Sequence, residues 1–293
     1  MRLELIRKAV YFDEDYVGSW IGDNAGRRIA DYLNKKYNFS ILNAEDLRKW
    51  MLIALQEYFA AESVVVFARD VAPSSVFDDE SPNCVLRRYL DSGGRIMWLG
   101  DIPLWKKGQP KRKAEEKWEL APYLSILGIQ PLVSWCYNMV TITDYGQSHG
   151  LIHAWYGNRP SLICVKHQIV RTPKAKNPMP NAATRVKILA YSKAVFVKHL
   201  LKKEGRMARW LRGATISIPV VGFGLSLKER GSLYEWDKEF ANAWKVTFND
   251  KYPNQGFIRI WDKVIHTYDL SDEILDELHS VATWKLQNQE KKR

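Results

Sequence analysis

Four short apolar runs in the first hundred residues, each followed by a stretch with a different periodicity, decide most of what this chain can fold into. Residues 8–12 (KAVYF), 39–42 (FSIL), 63–68 (SVVVFA) and 95–100 (RIMWLG) are too short for buried helices and rich in β-branched or aromatic residues. SVVVFA is apolar at consecutive positions, as a parallel strand is when helices cover both its faces. The segments between read as helices. Residues 24–37 place Ile29 and Leu33 on one face, and Asn43 is positioned to cap a helix reaching residue 58, on which Leu47, Met51, Ala54, Leu55 and Tyr58 keep helical spacing. Ser81 and Pro82 suit the cap and first turn of a third helix, carrying Val85, Leu86, Tyr89 and Leu90, and Gly93 and Gly94 supply its left-handed stop. Strands and helices in this alternation need crossover connections, so the expected class is α/β with a doubly wound, mostly parallel sheet.

Beyond Trp105 the pattern is less regular, and the chain divides at that point into residues 1–105 and a basic half, 106–293, that either completes the same sheet or forms a second α/β subdomain. Residues 106–117 (KKGQPKRKAEEK) read as a solvated loop and 120–133 as the start of another helix-strand unit. Strands are expected at 139–143, 161–165, 186–192, 214–221 and 256–262, with a flexible basic loop at 171–185. A basic amphipathic stretch is expected over 193–212, and helices over 236–248 and 271–286.

Charge is placed unevenly. Residues 1–105 hold 13 Lys and Arg against 16 Asp and Glu; the remaining residues hold 31 against 17, so a net of −3 is followed by one of +14. Between Asp144 and Glu204, 59 consecutive residues contain no acid. From Lys166 to Arg212 there are 13 basic residues, including Lys166, Arg171, Lys174, Lys176, Lys198, Lys202, Lys203, Arg206 and Arg209, interleaved with Tyr191, Phe196 and Trp210. That pattern suits a phosphate-tracking surface with stacking platforms, so nucleic acid or another polyanion is the expected partner, with protein partners or a homo-oligomer as further expectations. No helix-turn-helix, zinc-finger or RNA-recognition signature supports sequence-specific reading. No run approaches the roughly 18 apolar residues of a membrane span, and the N-terminus lacks a signal peptide's cleavage site. Cys84, Cys136 and Cys164 form no CxxC pair. A cytoplasmic protein without a membrane partner is therefore expected.

The string LRRYLDSGGRIMWLGDIPLW (86–105), preceded by SVVVFARDVAP (63–73), resembles the class I glutamine amidotransferase-like superfamily, in particular its ThuA-like and β-galactosidase trimerisation branches. The resemblance covers about residues 8–105 and implies an amidotransferase-like or flavodoxin-like fold. Its glutaminase activity does not carry over. That chemistry needs a cysteine on a strand-to-helix elbow beside backbone N–H groups, and here the place reads WLGDIPLW, with Asp101 and no cysteine. None of the six histidines is followed two residues later by an acid.

In open parallel sheets ligands bind beyond the carboxyl ends of strands. Acids stand at four predicted strand ends: Asp13 with Glu14 and Asp15, then Asp70, Asp101 and Asp262; Trp20 and Trp105 sit in adjoining loops as candidate pocket walls. The leading expectation is a non-glutaminase binding protein with its pocket there and a basic surface for a polyanion. The alternative is a Mg²⁺-dependent hydrolase of phosphorylated or nucleotide substrates using Asp13, Asp15 and Asp101, since Mg²⁺ takes hard oxygen ligands. The spelling of Asp13 to Val17 is similar to the haloacid dehalogenase-like nucleophile motif, without that family's later residues. A structural subunit of a larger assembly is the third reading. His149 and His153 lie four apart, but Gly146 and Gly150 beside them favour a loop with a structural role over a helical metal site.

Overall fold

The computed structural model describes residues 2–16, 21–79, 81–100, 103–116, 125–128, 138–157, 162–165, 168–169, 185–198, 217–218, 234–260 and 270–286. The first half alternates as the sequence predicts, with one further short strand, β4, that it does not: β1 (Lys8–Tyr11), α1 (Asp23–Tyr37), β2 (Ser40–Leu42), α2 (Ala44–Gln56), β3 (Val64–Phe67), β4 (Ala72–Pro73), α3 (Val85–Asp91) and β5 (Arg95–Trp98). Then come β6 (Lys106–Gln109), β7 (Arg112–Glu116), β8 (Asn138–Met139), β9 (Thr141–Ile142), α4 (Asp144–Ser148), β10 (Tyr156–Gly157), β11 (Leu162–Val165) and β12 (Gln168–Ile169). The chain continues through β13 (Arg185–Lys198), β14 (Ser217–Ile218), β15 (Tyr234–Thr247), β16 (Gly256–Ile260) and α5 (Asp272–Thr283).

The main sheet runs β12-β11-β15-β16-β5-β3-β1-β2. Its β2, β1, β3, β5 and β16 are parallel, while β15, β13, β11 and β12 extend it antiparallel. Counted in chain order, the parallel strands read 2-1-3-4-5, the flavodoxin-like arrangement, whose order reverses between β1 and β3. Strands from both halves of the chain share this sheet.

Alternate residues divide the core in two. Tyr11, Phe67, Trp98 and Phe257 face Leu47, Trp50 and Met51 of α2 and Leu86 and Tyr89 of α3; Val10, Val66, Met97 and Ile258 face Ile29 and Leu33 of α1 and Leu278 and Val281 of α5. On the first face an aromatic row crosses the sheet, Phe67 to Trp98 at 5.3 Å and Trp244 to Phe257 at 5.8 Å between centroids. On the second, α1 and α5 are tied at Asp276, which accepts from Tyr32, Tyr37 and Lys36 at 2.6–2.9 Å. Caps bound the helices: Asn43 accepts from Asp46 N at 2.8 Å, and Ser271 caps α5.

Several expectations are corrected. The third helix is capped by Cys84, whose Sγ accepts from Arg87 N, not by Ser81. Asp79 accepts from Ser81 N and Asp78 from Val85 N, so Ser81 is engaged in a local contact before the helix begins at Val85. The expected solvated loop at 106–117 is a hairpin of β6 and β7 turning at Pro110 and Lys111, where Lys111 takes φ 56°. Residues 236–248 are not a helix but lie in β15, apart from Phe248 just beyond it. Trp236, Phe240, Trp244 and Phe248 repeat every four positions, a spacing that also keeps to one face of a strand, and pairing with β13 along its whole length settles the choice. The start of the basic amphipathic stretch, 193–198, is likewise strand. Asp144–Ser148 forms a short helix, capped by Thr143, because Gly146 lets it lie against the Leu189 carbonyl. Among the described residues no helix is long and apolar enough to cross a membrane.

Candidate functional site

In sheets of this order ligands bind at the carboxyl ends of the strands where the order reverses, here β1 and β3, and the loops after both strands meet there, Arg69 of one holding the Asp13 carbonyl of the other. After β1, Asp13 accepts from Asp15 N through Oδ1 and from Ala44 N through Oδ2, both at 2.9 Å. It thus closes its own turn and satisfies an amide at the start of α2, so both its oxygens are engaged with the backbone. Glu14 and Asp15 are exposed, and Glu14 pairs with Arg27 of α1.

After β3 come two charged residues, Arg69 (1% exposed) and Asp70 (3% exposed). Arg69 Nη1 donates to Asp23 Oδ1 at 2.5 Å and Nη2 to the Asp13 carbonyl at 3.2 Å, and its guanidinium lies 4.6 Å from the Phe12 ring centroid. Its Nε is buried with no partner among the described residues. Leaving such a donor unmade costs roughly 1–3 kcal/mol. Two glycines permit this crowding. A Cβ on Gly26 would stand 2.6 Å from the Ala68 carbonyl, so only glycine lets α1 approach the end of β3; a Cβ on Gly100 would collide with Asp70 Cβ.

β4, β6 and β7 form a separate small sheet, closed by Ser74 N to the Gly108 carbonyl at 2.9 Å and tied to the loop after β1 by Lys111 N to the Asp15 carbonyl at 2.7 Å. At the end of β1 Tyr11 is fully buried, and its hydroxyl has no partner among the described residues. Burial raises its pKa well above the usual phenol value, with Asp13 and Tyr16 adding to the rise and Arg69 opposing it. Trp105 is half-buried at the start of β6, with Lys106 Nζ 5.6 Å from its ring.

The structure therefore brings Asp13, Asp15, Asp70 and Trp105 to one edge. Asp101, Trp20 and Asp262 lie outside the described residues, as do Lys166, Arg171, Lys174, Lys176, Lys202, Lys203, Arg206 and Arg209. Lys198 is the last residue of β13, paired in register with Tyr234. Among the described residues no group of three His, Cys, Asp or Glu side chains is arranged to hold a metal ion. The two histidines of the 145–153 strip do not converge. His149 is buried, stacked on Trp284 at 3.6 Å, and desolvation lowers its pKa to about 4, whereas His153 Nδ1 pairs with the buried Glu277 at 2.9 Å. Cys84 is buried, and desolvation pushes its thiol up to about 11, away from the thiolate a nucleophile needs. Arg69, Tyr11 and Asp23 are site residues that sequence reasoning misses; the available signal is an arginine directly following a run that helices cover on both faces.

Residues 7–201, more than half of the chain, match the MJECL34 family. The chain belongs to the MJECL34 family. The uncharacterised MJECL34 protein of Methanocaldococcus jannaschii is 33% identical over 156 residues, 52% of this chain. That match spans 50% of the relative, so the chain covers about half its length. A solved ThuA-like protein from Bacteroides uniformis aligns over 97% of this chain and 93% of its own, at 11% identity and a TM-score of 0.40. The family match covers all of β1 to β5, and with them the point where strand order reverses.

Proposed function

We propose that the chain is a non-glutaminase binding protein that holds a small molecule in a crevice at the carboxyl ends of β1 and β3. The observation that carries this is the buried Arg69, set at the point where strand order reverses and left with an unpartnered Nε among the described residues. Asp13 acts here as a positioning residue, because both its oxygens already hold backbone amides. That engagement weighs against its use as the nucleophile or Mg²⁺ ligand of a hydrolase. The acid-free segment between Asp144 and Glu204 supports a second contact, with nucleic acid or another polyanion.

The crevice is tested by native mass spectrometry for small molecules retained by the purified chain, followed by a thermal-shift screen of compounds. Gly22, the N-cap of α1, has φ −65°, and a Cβ placed there would meet nothing within 4 Å, so Gly22→Leu adds bulk at the mouth without strain. A ligand-induced rise in Tm that Gly22→Leu abolishes is the expected result; an undiminished rise in the variant places the ligand elsewhere. For the polyanion contact, affinity for short DNA and RNA should fall steeply with salt and drop when Lys198, Lys202 and Arg206 are changed to Glu.

A further inference from the structure

We infer that the ligand of this crevice presents an oxyanion, a carboxylate or phosphoryl group, to Arg69, the Tyr11 hydroxyl and the first turn of α1, and that Asp23 occupies that place until the ligand arrives. The inference rests on the crevice reading and deepens it.

Electrostatics at the start of α1 favours an anion. The helix has 15 residues and begins with its positive dipole end at the crevice; its N-cap is Gly22, which offers no side-chain acceptor to the first-turn amides. The guanidinium of Arg69 lies against this same end, a cation beside the positive end of a helix. The carboxylate that holds it is Asp23, whose side chain is 78% exposed although its partner is 1% exposed. A buried cation held by a carboxylate that solvent reaches is a pair whose anion can be exchanged. Two buried donors remain unmet among the described residues, Arg69 Nε in the loop after β3 and the hydroxyl of Tyr11, the last residue of β1. An oxyanion with several acceptor oxygens would meet the orphan donors and the amide end of α1 together, which Asp23, tethered as the first helical residue, does not. The acids nearby do not forbid this. Asp13 is held by two amides and Glu14 by Arg27, so neither is a bare charge at the mouth.

The experiment is calorimetric titration at low ionic strength with two probes, inorganic phosphate and acetate, on the wild type and on D23N and Y11F. Asp23→Asn removes the internal competitor and should tighten binding of the favoured probe about tenfold. Tyr11→Phe removes a hydroxyl that has no partner among the described residues, so it should weaken binding several-fold while leaving Tm unchanged. Preference for phosphate assigns a phosphoryl ligand, and preference for acetate a carboxylate. No binding of either probe to D23N, or affinities unchanged in both variants, overturns the inference. A ligand whose Tm shift is lost in Gly22→Leu but unaffected by D23N and Y11F would leave the crevice standing and remove the oxyanion. A ligand indifferent to all three variants removes both.

Discussion

The two edges of the parallel sheet each bury an arginine, and they use it differently. At the amino edge Arg95, fully buried at the start of β5, donates to the carbonyls of Ala282, Trp284 and Asn254 at 2.7–2.8 Å. Two of these carbonyls lie at the C-terminal end of α5, where a cation complements the helix dipole. Lys245 joins it through the carbonyls of Asn254 and Pro253, and Trp284 stacks beneath on His149. At the carboxyl edge Arg69 stands at a helix N-terminus, where the dipole opposes it, and holds one exposed carboxylate and one carbonyl. Each leaves its Nε unpartnered among the described residues, so burial alone does not distinguish them. What does is the partner: main-chain carbonyls of a packed helix end cannot be exchanged, while an exposed aspartate can. The amino edge is a clamp, and the carboxyl edge is the receptor of the proposed reading.

The largest expected effect separates the two arginines. Arg95→Met strips three buried carbonyls of their donor and should cost about 3–5 kcal/mol in urea unfolding, whereas Arg69→Met, which frees an exposed Asp23, should cost about 1–2 kcal/mol. Equal costs would break the distinction between clamp and receptor. Next comes pH. Desolvation, with Arg95 and Lys285 adding to it, lowers Lys245 to about 7 from an ordinary 10.5. Between these values the unfolded chain binds the proton that the folded chain sheds, so stability rises with pH across that interval, and below about 7 the cost of the buried charge is fully present. His149, lowered to about 4, adds a loss of stability as pH falls below about 6.5. Tm measured from about pH 7 to about pH 9.5 should climb in the wild type and lose most of that slope in Lys245→Met; a flat wild-type profile would mean that the clamp carries its charge without strain. The smallest effect sharpens the other edge. Asp13→Ala removes the acceptor for Asp15 N and Ala44 N and should cost about 1 kcal/mol by chemical denaturation, the size of a lost helix cap. A negligible cost would make Asp13 a residue kept for chemistry after all.

How much of this is legible in the sequence varies with the range of the interactions. The four parallel strands to residue 98 and the helices between them are readable because each buries a continuous face, and Asn43 and Ser271 cap where local hydrogen bonding puts them. The strand β15 is not, because aromatic residues four apart satisfy both a helix and a strand, and its pairing with β13, β16 and β11 decides between them. The hairpin β6–β7 is hidden by its lysines, which mark solvent without marking secondary structure. For the site, the acids at strand ends can be found from position alone. Arg69 is overlooked because a charge next to a buried strand looks like a loop residue until α1 closes over it.

The sequence by itself determined the α/β class, the succession of the first four parallel strands along the chain and the absence of a glutaminase cysteine at the strand end, since these follow from local periodicity and residue identity. The tertiary structure alone decided that β16 returns from the far end of the chain to sit beside β5, that Asp13 is spent on backbone amides, and that Arg69 and Tyr11 are left with donors unmet among the described residues. Those outcomes depend on which groups exclude water from one another, and that is a property of packing between segments as far as 244 residues apart, the separation of Tyr32 from the Asp276 carboxylate it donates to.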